Sequence, residues 1–196
     1  MDADLAEEIE YLTDLLSKSG FFSTEEIIEI LEDQFMDEEI DFSRFEIFPA
    51  VSSNLNFSRL ENAFEKLSRE DIVAVHNCGY DMAEGVSDVF ELNVHLLNNK
   101  FKAEGFCFYA FEDVEYAIFD ESLKITFAGF EDDENKALCI GRTVSEYLKA
   151  EGLNVKWDGT VNSQIELNPF TWDKSYDDKK EYEIEGAYET YIKNRC

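Results

Sequence analysis

The hydrophobic period of this chain changes at residue 71, and no other feature constrains the fold as much. Upstream, apolar residues recur at helical spacing. Downstream come short unbroken apolar runs separated by amphipathic stretches. Ile72-Val73-Ala74-Val75 is the first such run, the form expected of a strand covered on both faces. It stops at a polar, glycine-containing turn, His76-Asn77-Cys78-Gly79-Tyr80-Asp81, and a helix follows at once, with Asp81 and Glu84 spaced to cap its start. Val86, Val89, Phe90, Val94 and Leu97 are read as the inward face of that helix.

The pattern then repeats. Phe106 to Phe111 is a second continuous apolar run, residues 112–119 read as a short helix, and Leu123, Ile125 and Phe127 alternate as a strand with one less buried face. The longest helix is expected over 133–150, with Gly152 as its stop. Leu153, Val155 and Trp157 form a fourth strand, Asp158-Gly159 a tight turn, and Ile165 and Leu167 the return arm of an antiparallel hairpin. Ile184, Tyr188 and Tyr191 suit a last helix, although Gly186 lies inside it. This order predicts an α/β (or α+β) domain with a mostly parallel sheet of about five strands and a C-terminal antiparallel hairpin.

The N-terminal part differs. Of a formal net charge of −28, half comes from residues 1–46, where 16 acidic residues stand against Lys18 and Arg44 alone. Leu5, Ile9, Leu12 and Leu16 make one helical stripe. Ser23 and Glu26 form a capping box for a second helix carrying Ile27, Ile28, Leu31 and Phe35. Residues 37–56 show no period and read as a loop, with a short extended piece around Phe45 to Phe48. Ser58 and Glu61 suggest the cap of a third helix. The expected division is an acidic helical hairpin and loop over 1–56 and an α/β domain over 57–196.

The charge also bounds function. A field of this sign repels phosphate backbones and anionic lipid, so neither nucleic acid nor a membrane is expected as partner, whereas a basic protein is attracted. No apolar run is long enough to span a bilayer, and the N-terminus lacks the order of a signal peptide. The four cysteines, Cys78, Cys107, Cys139 and Cys196, are far apart, which fits a reduced cytoplasmic protein with free thiols.

If the strands were parallel, polar groups at their carboxyl ends would converge on one rim. The candidates there are Cys78 as nucleophile with His76 as base, Asp81 beside them, and Tyr80, Asp113 and Asp158 as binding residues. Two residues apart on one strand, His76 and Cys78 would project to the same side. Each motif also has a structural reading, since Asp and Gly serve turns and caps for local backbone reasons. No metal-ligand spacing, phosphate-cradling glycine loop or nucleophile elbow is present, so no metal and no cofactor are expected.

Cys78-Gly79-Tyr80-Asp81 with Glu84-Gly85, Gly105-Phe106-Cys107-Phe108-Tyr109 with Asp113-Val114-Glu115, Ile125 to Gly129, Ile140-Gly141-Arg142, Gly152-Leu153 and Trp157-Asp158-Gly159 together resemble a bacterial family of uncharacterised proteins. The resemblance covers about residues 70–172. In that pattern a histidine commonly follows the tyrosine of the second strand, where this chain has Ala110. The resemblance supports the α/β fold and implies no activity. The charge distribution favours a non-enzymatic binding module, immunity- or inhibitor-like, whose acidic helices meet a basic partner. The alternative is a small-molecule or metal-binding enzyme with its site at the strand rim.

Overall fold

The computed structural model describes residues 3–38 and 40–195. They fall into two compact units. The first holds the N-terminal residues up to Leu55 together with Asp173–Lys179, and the second holds Asn56–Trp172 with the residues from Lys180 on.

In the first unit, α1 (Ala3–Ser19) buries Ile9, Leu15 and Leu16, and α2 (Thr24–Gln34) buries Ile27 and Leu31. The capping box of α2 is complete: Glu26 N–H donates to Ser23 Oγ at 3.2 Å and Ser23 N–H to Glu26 Oε2 at 2.7 Å. The segment before α3 holds two single 3₁₀ turns, Met36–Glu38 and Phe42–Arg44, and from Phe45 to Asn54 it has no regular element, as expected of a loop. Buried Phe42 organises the two turns, its ring 6.0 Å from Phe35 and 5.2 Å from Phe45. The segment Asp173–Lys179 straps this unit together. Asp173 accepts from Ser53 Oγ at 2.7 Å and from Leu55 N–H at 2.9 Å, and buried Lys174 donates to the Gly20 carbonyl and holds its ammonium 4.5 Å over Phe21.

The second unit is a five-stranded sheet with helices on both faces. Its elements are α3 (Leu55–Leu67), β1 (Ile72–Val75), α4 (Met82–Asn98), β2 (Gly105–Phe108), α5 (Phe111–Phe119), β3 (Leu123–Gly129), α6 (Glu134–Ala150), β4 (Val155–Lys156), β5 (Ile165–Leu167) and α7 (Ile184–Lys193). The strand order is β1-β2-β3-β5-β4. Because α3 begins at Leu55, Ser58 lies inside the helix and not at its N-cap.

The sheet is mixed, which corrects the expectation of mostly parallel strands. Only β1 and β2 run parallel; β3 is antiparallel to β2, and β5 to both β3 and β4. The cause is the connection after β2. Phe111 and Glu112 N–H donate to the Gly79 and Tyr80 carbonyls at 3.1 and 3.0 Å, which holds the start of α5 beyond the carboxyl ends of β1 and β2. The nine residues of α5 do not return the chain along the sheet as a parallel crossover requires. The chain turns at Glu121, with φ 53°, and re-enters from the same end.

Val73 and Val75 of β1 and Phe106 and Phe108 of β2 pack with Val89, Leu92 and Leu96 of α4 and with Ala187 and Tyr191 of α7. Ala74, Cys107 and Phe127 register on the opposite face, beneath α3 and α6. The inward face of α4 also differs from the expected one. Gly85, Val89, Leu92 and Leu96 are buried, while Phe90, Val94 and Leu97 are exposed. Gly85 decides this: a Cβ there would lie 2.6 Å from the Cys78 carbonyl oxygen and closer still to the Phe108 ring, so only glycine lets the helix seat on that side. Gly186 has a similar reason to sit inside α7, because the Glu181 backbone occupies the place of its Cβ.

Candidate functional site

The turn after β1 divides the expected catalytic pair. Asn77 adopts a left-handed backbone, φ 49°, and breaks the strand alternation. His76, still in alternation with Ala74, lies on the α3 side, its ring stacked 4.5 Å from Phe64, 5.5 Å from Phe57 and 5.8 Å from Tyr182, with Nδ1 and the Tyr109 hydroxyl in hydrogen-bond contact at 2.9 Å. Cys78 turns the other way, into the cluster under α4, where its Sγ donates to the Gly85 carbonyl at 3.5 Å. Burial, with the charges of Asp88 and Glu183 adding to it, pushes the thiol well above its ordinary value. A nucleophile would need the opposite shift, toward the thiolate. The same-side geometry expected for His76 and Cys78 is therefore corrected.

The acids at the element ends serve the backbone. Asp81 caps α4, accepting from Ala83 N–H at 2.8 Å and Glu84 N–H at 3.0 Å. Asp113 is buried and accepts from Ala110 N–H at 2.9 Å at the start of α5; desolvation raises its pKa to about 6. Tyr80 is exposed, with its N–H donated to Glu84 Oε2 at 2.9 Å. Asp158 closes a turn by accepting from Thr160 N–H and Thr160 Oγ1, both at 2.9 Å, and from Ser163 Oγ, bonds that hold its carboxyl below the usual range. The expected common rim does not form. The strand directions put Cys78, Tyr80, Asp81 and Asp113 at one end of the sheet and Asp158 at the other, where the following Val161 and Asn162 meet Gly129 to Asp133.

Other concavities are better formed. At the edge of β1, a cavity of about 200 Å³ is floored by His76 and walled by Phe64, Tyr182 and Thr190, with the Lys180–Glu61 ion pair at its side. In the first unit, a groove of about 740 Å³ runs along α1. Ala6, Ile9 and Ile47 line it, the exposed rings of Tyr11 and Phe48 stand on it, and Glu10, Asp14 and Glu46 supply its charge. Phe45 and Phe48 were read from the sequence only as part of a short extended piece; that they line one groove with Tyr11 was not legible there. Among the described residues no group of three or more His, Cys, Asp or Glu side chains is placed to hold a metal ion, and no helix is long and apolar enough to cross a membrane.

A family model matches residues 2–176. The chain belongs to the family described as Domain of unknown function (DUF6891). The DUF6891 match takes in the acidic N-terminal helices as well as the sheet, which extends the resemblance expected over 70–172. The strap Asp173–Lys179 enters it only as far as Tyr176. No curated protein and no solved structure matches the chain.

Proposed function

We propose that this DUF6891 protein is a non-enzymatic binding module of the cytoplasm whose acidic N-terminal unit meets a basic protein, in the manner of an inhibitor or immunity protein. The observation that carries this reading is the groove along α1, where an apolar lining and two exposed aromatic rings lie among Glu10, Asp14 and Glu46. Apolar anchors inside a charged rim are the composition of a protein-recognition surface. Half the chain's net charge lies in residues 1–46, which favours rapid encounter with a cationic partner. The alternative, a small-molecule or metal-binding enzyme at the strand rim, has less support: Cys78 is buried and turned away from His76, and Asp81, Asp113 and Asp158 are engaged by backbone N–H groups.

The test is capture from a cell extract by the immobilised full chain at low and high salt, alongside Tyr11→Ser/Phe48→Ser and Glu10→Lys/Asp14→Lys/Glu46→Lys variants. A basic protein held by the wild type, released by salt and lost from both variants is the expected result. Equal capture by the variants, or none by the wild type at low salt, overturns the reading.

A further inference from the structure

The sheet unit has an exposed apolar surface of its own, on α4. On α4, Met82, Val86, Phe90, Val94 and Leu97 follow one another at four, four, four and three residues, so they form one continuous stripe. Val86 is partly buried, but Phe90 is 43 %, Val94 56 % and Leu97 51 % exposed. The adjoining side of the same helix buries Val89, Leu92 and Leu96 in the core, and Glu84, Asp88, Glu91 and His95 take the remaining, polar side. The apolar arc is therefore wider than the strip that the core of this chain covers, and the uncovered part of it is the row from Phe90 to Leu97. Scattered exposed apolar residues are ordinary in a soluble protein; a contiguous row four turns long marks an interaction surface.

The row continues off the helix. Phe90 packs edge-on to Phe130 at 5.5 Å, and beyond Phe130 opens a groove of about 540 Å³ with Phe127 and Val161 in its wall. Its acidic residues are Glu131, Asp132, Asp133 and Glu134, and Glu91 flanks the row on α4 itself. Lys136 adds little positive charge to this rim, being held by Glu104 at 2.6 Å and Glu131 at 2.8 Å.

From these observations we propose that α4 and the adjoining groove bind an amphipathic helix of a partner protein, with an apolar face laid on Phe90, Val94 and Leu97 and lysines or arginines set against Glu91, Asp132 and Glu134. The row from Met82 to Leu97 is about 24 Å long at 1.5 Å per residue, the span of a four-turn helix. Charge decides among occupants. A second copy of this chain brings another −28 to the interface, and an anionic bilayer is repelled by the same rim. A helix with cationic flanks complements it.

The test is titration of the full chain with three probes: a four-turn Leu/Lys amphipathic peptide, its Leu/Glu counterpart, and vesicles of phosphatidylserine and phosphatidylcholine. Sedimentation of the chain alone is run in parallel. The expected result is binding of the Leu/Lys peptide only. Val94→Ser/Leu97→Ser should weaken it about tenfold, Val94→Lys/Leu97→Lys more, and Tyr11→Ser/Phe48→Ser not at all. These positions are exposed, so the variants keep the wild-type melting curve. Absent binding, equal binding by the Val94/Leu97 variants, vesicle binding, or self-association that these variants abolish would each overturn the proposal. Loss with Tyr11→Ser/Phe48→Ser alone would place the peptide in the α1 groove instead.

Discussion

His76 Nδ1 and the hydroxyl of Tyr109 lie 2.9 Å apart inside a ring of aromatic side chains, and this contact locks the end of β1 to the end of β2 beneath α3. Tyr109 is fully buried, so its hydroxyl has no water to turn to, and desolvation pushes the phenol well above its ordinary pKa. Tyr109→Phe deletes one partner of a buried hydrogen bond. Urea unfolding should show a loss of about 1–3 kcal/mol with an unchanged m-value.

The cysteines should react in an order set by burial. Cys78 and Cys107 are buried, and desolvation raises both thiols, whereas Cys139 is exposed. Iodoacetamide at neutral pH, followed by peptide mapping, should label Cys139 in the folded protein. Cys78 and Cys107 should appear only after denaturant is added; prompt labelling of Cys78 would contradict its position under α4.

Asp113 gives a pH signature of known sign. Its folded pKa, about 6, lies above the ordinary aspartate value of 3.8, so between these values the folded state holds more protons than the unfolded state. Stability from this group is therefore greatest below pH 3.8, falls as pH rises to about 6, and is level above that. Asp113→Asn cannot titrate, yet its side-chain oxygen can still accept from Ala110 N–H. The difference in unfolding free energy between wild type and Asp113→Asn should change by about 1–3 kcal/mol across that window and stay constant from pH 7 to 8.

Salt should stabilise the fold. A net charge of −28 on 196 residues concentrates like charge when the chain compacts, and added ions screen that repulsion. The melting temperature should rise by several degrees between 10 mM and 0.5 M sodium chloride, with most of the gain in the first part of the titration. A fall would show that ion pairs such as Lys136–Glu104 outweigh the repulsion.

The elements themselves were legible in the sequence, because period and cap signals are local. The Ser23–Glu26 box, Asp81 at the start of α4 and Asp133 at the start of α6 all lie where the residues announce them. The direction of β3 was not legible, since it depends on how α5 is held by Gly79 and Tyr80 rather than on any residue in β3. The buried side of α4 was also hidden: apolar residues ring most of that helix, and Gly85, silent in a hydrophobic pattern, chooses the face. The rim candidates misled for a physical reason. Asp beside Gly at an element end is the composition of a ligand site and equally of a helix cap or a turn, and Asp81 and Asp158 have the second use.

The strap Asp173–Lys179 sets the order in which this protein can be completed. Ser53 and its acceptor Asp173 are 120 positions apart, and at cellular rates of synthesis the ribosome takes on the order of ten seconds to cover that distance. Throughout that interval α1 and α2 exist without the segment that ties Ser53, Leu55 and Gly20 together. A nascent chain halted before residue 173 therefore presents its most acidic helices unfinished, although every residue of them has already been made.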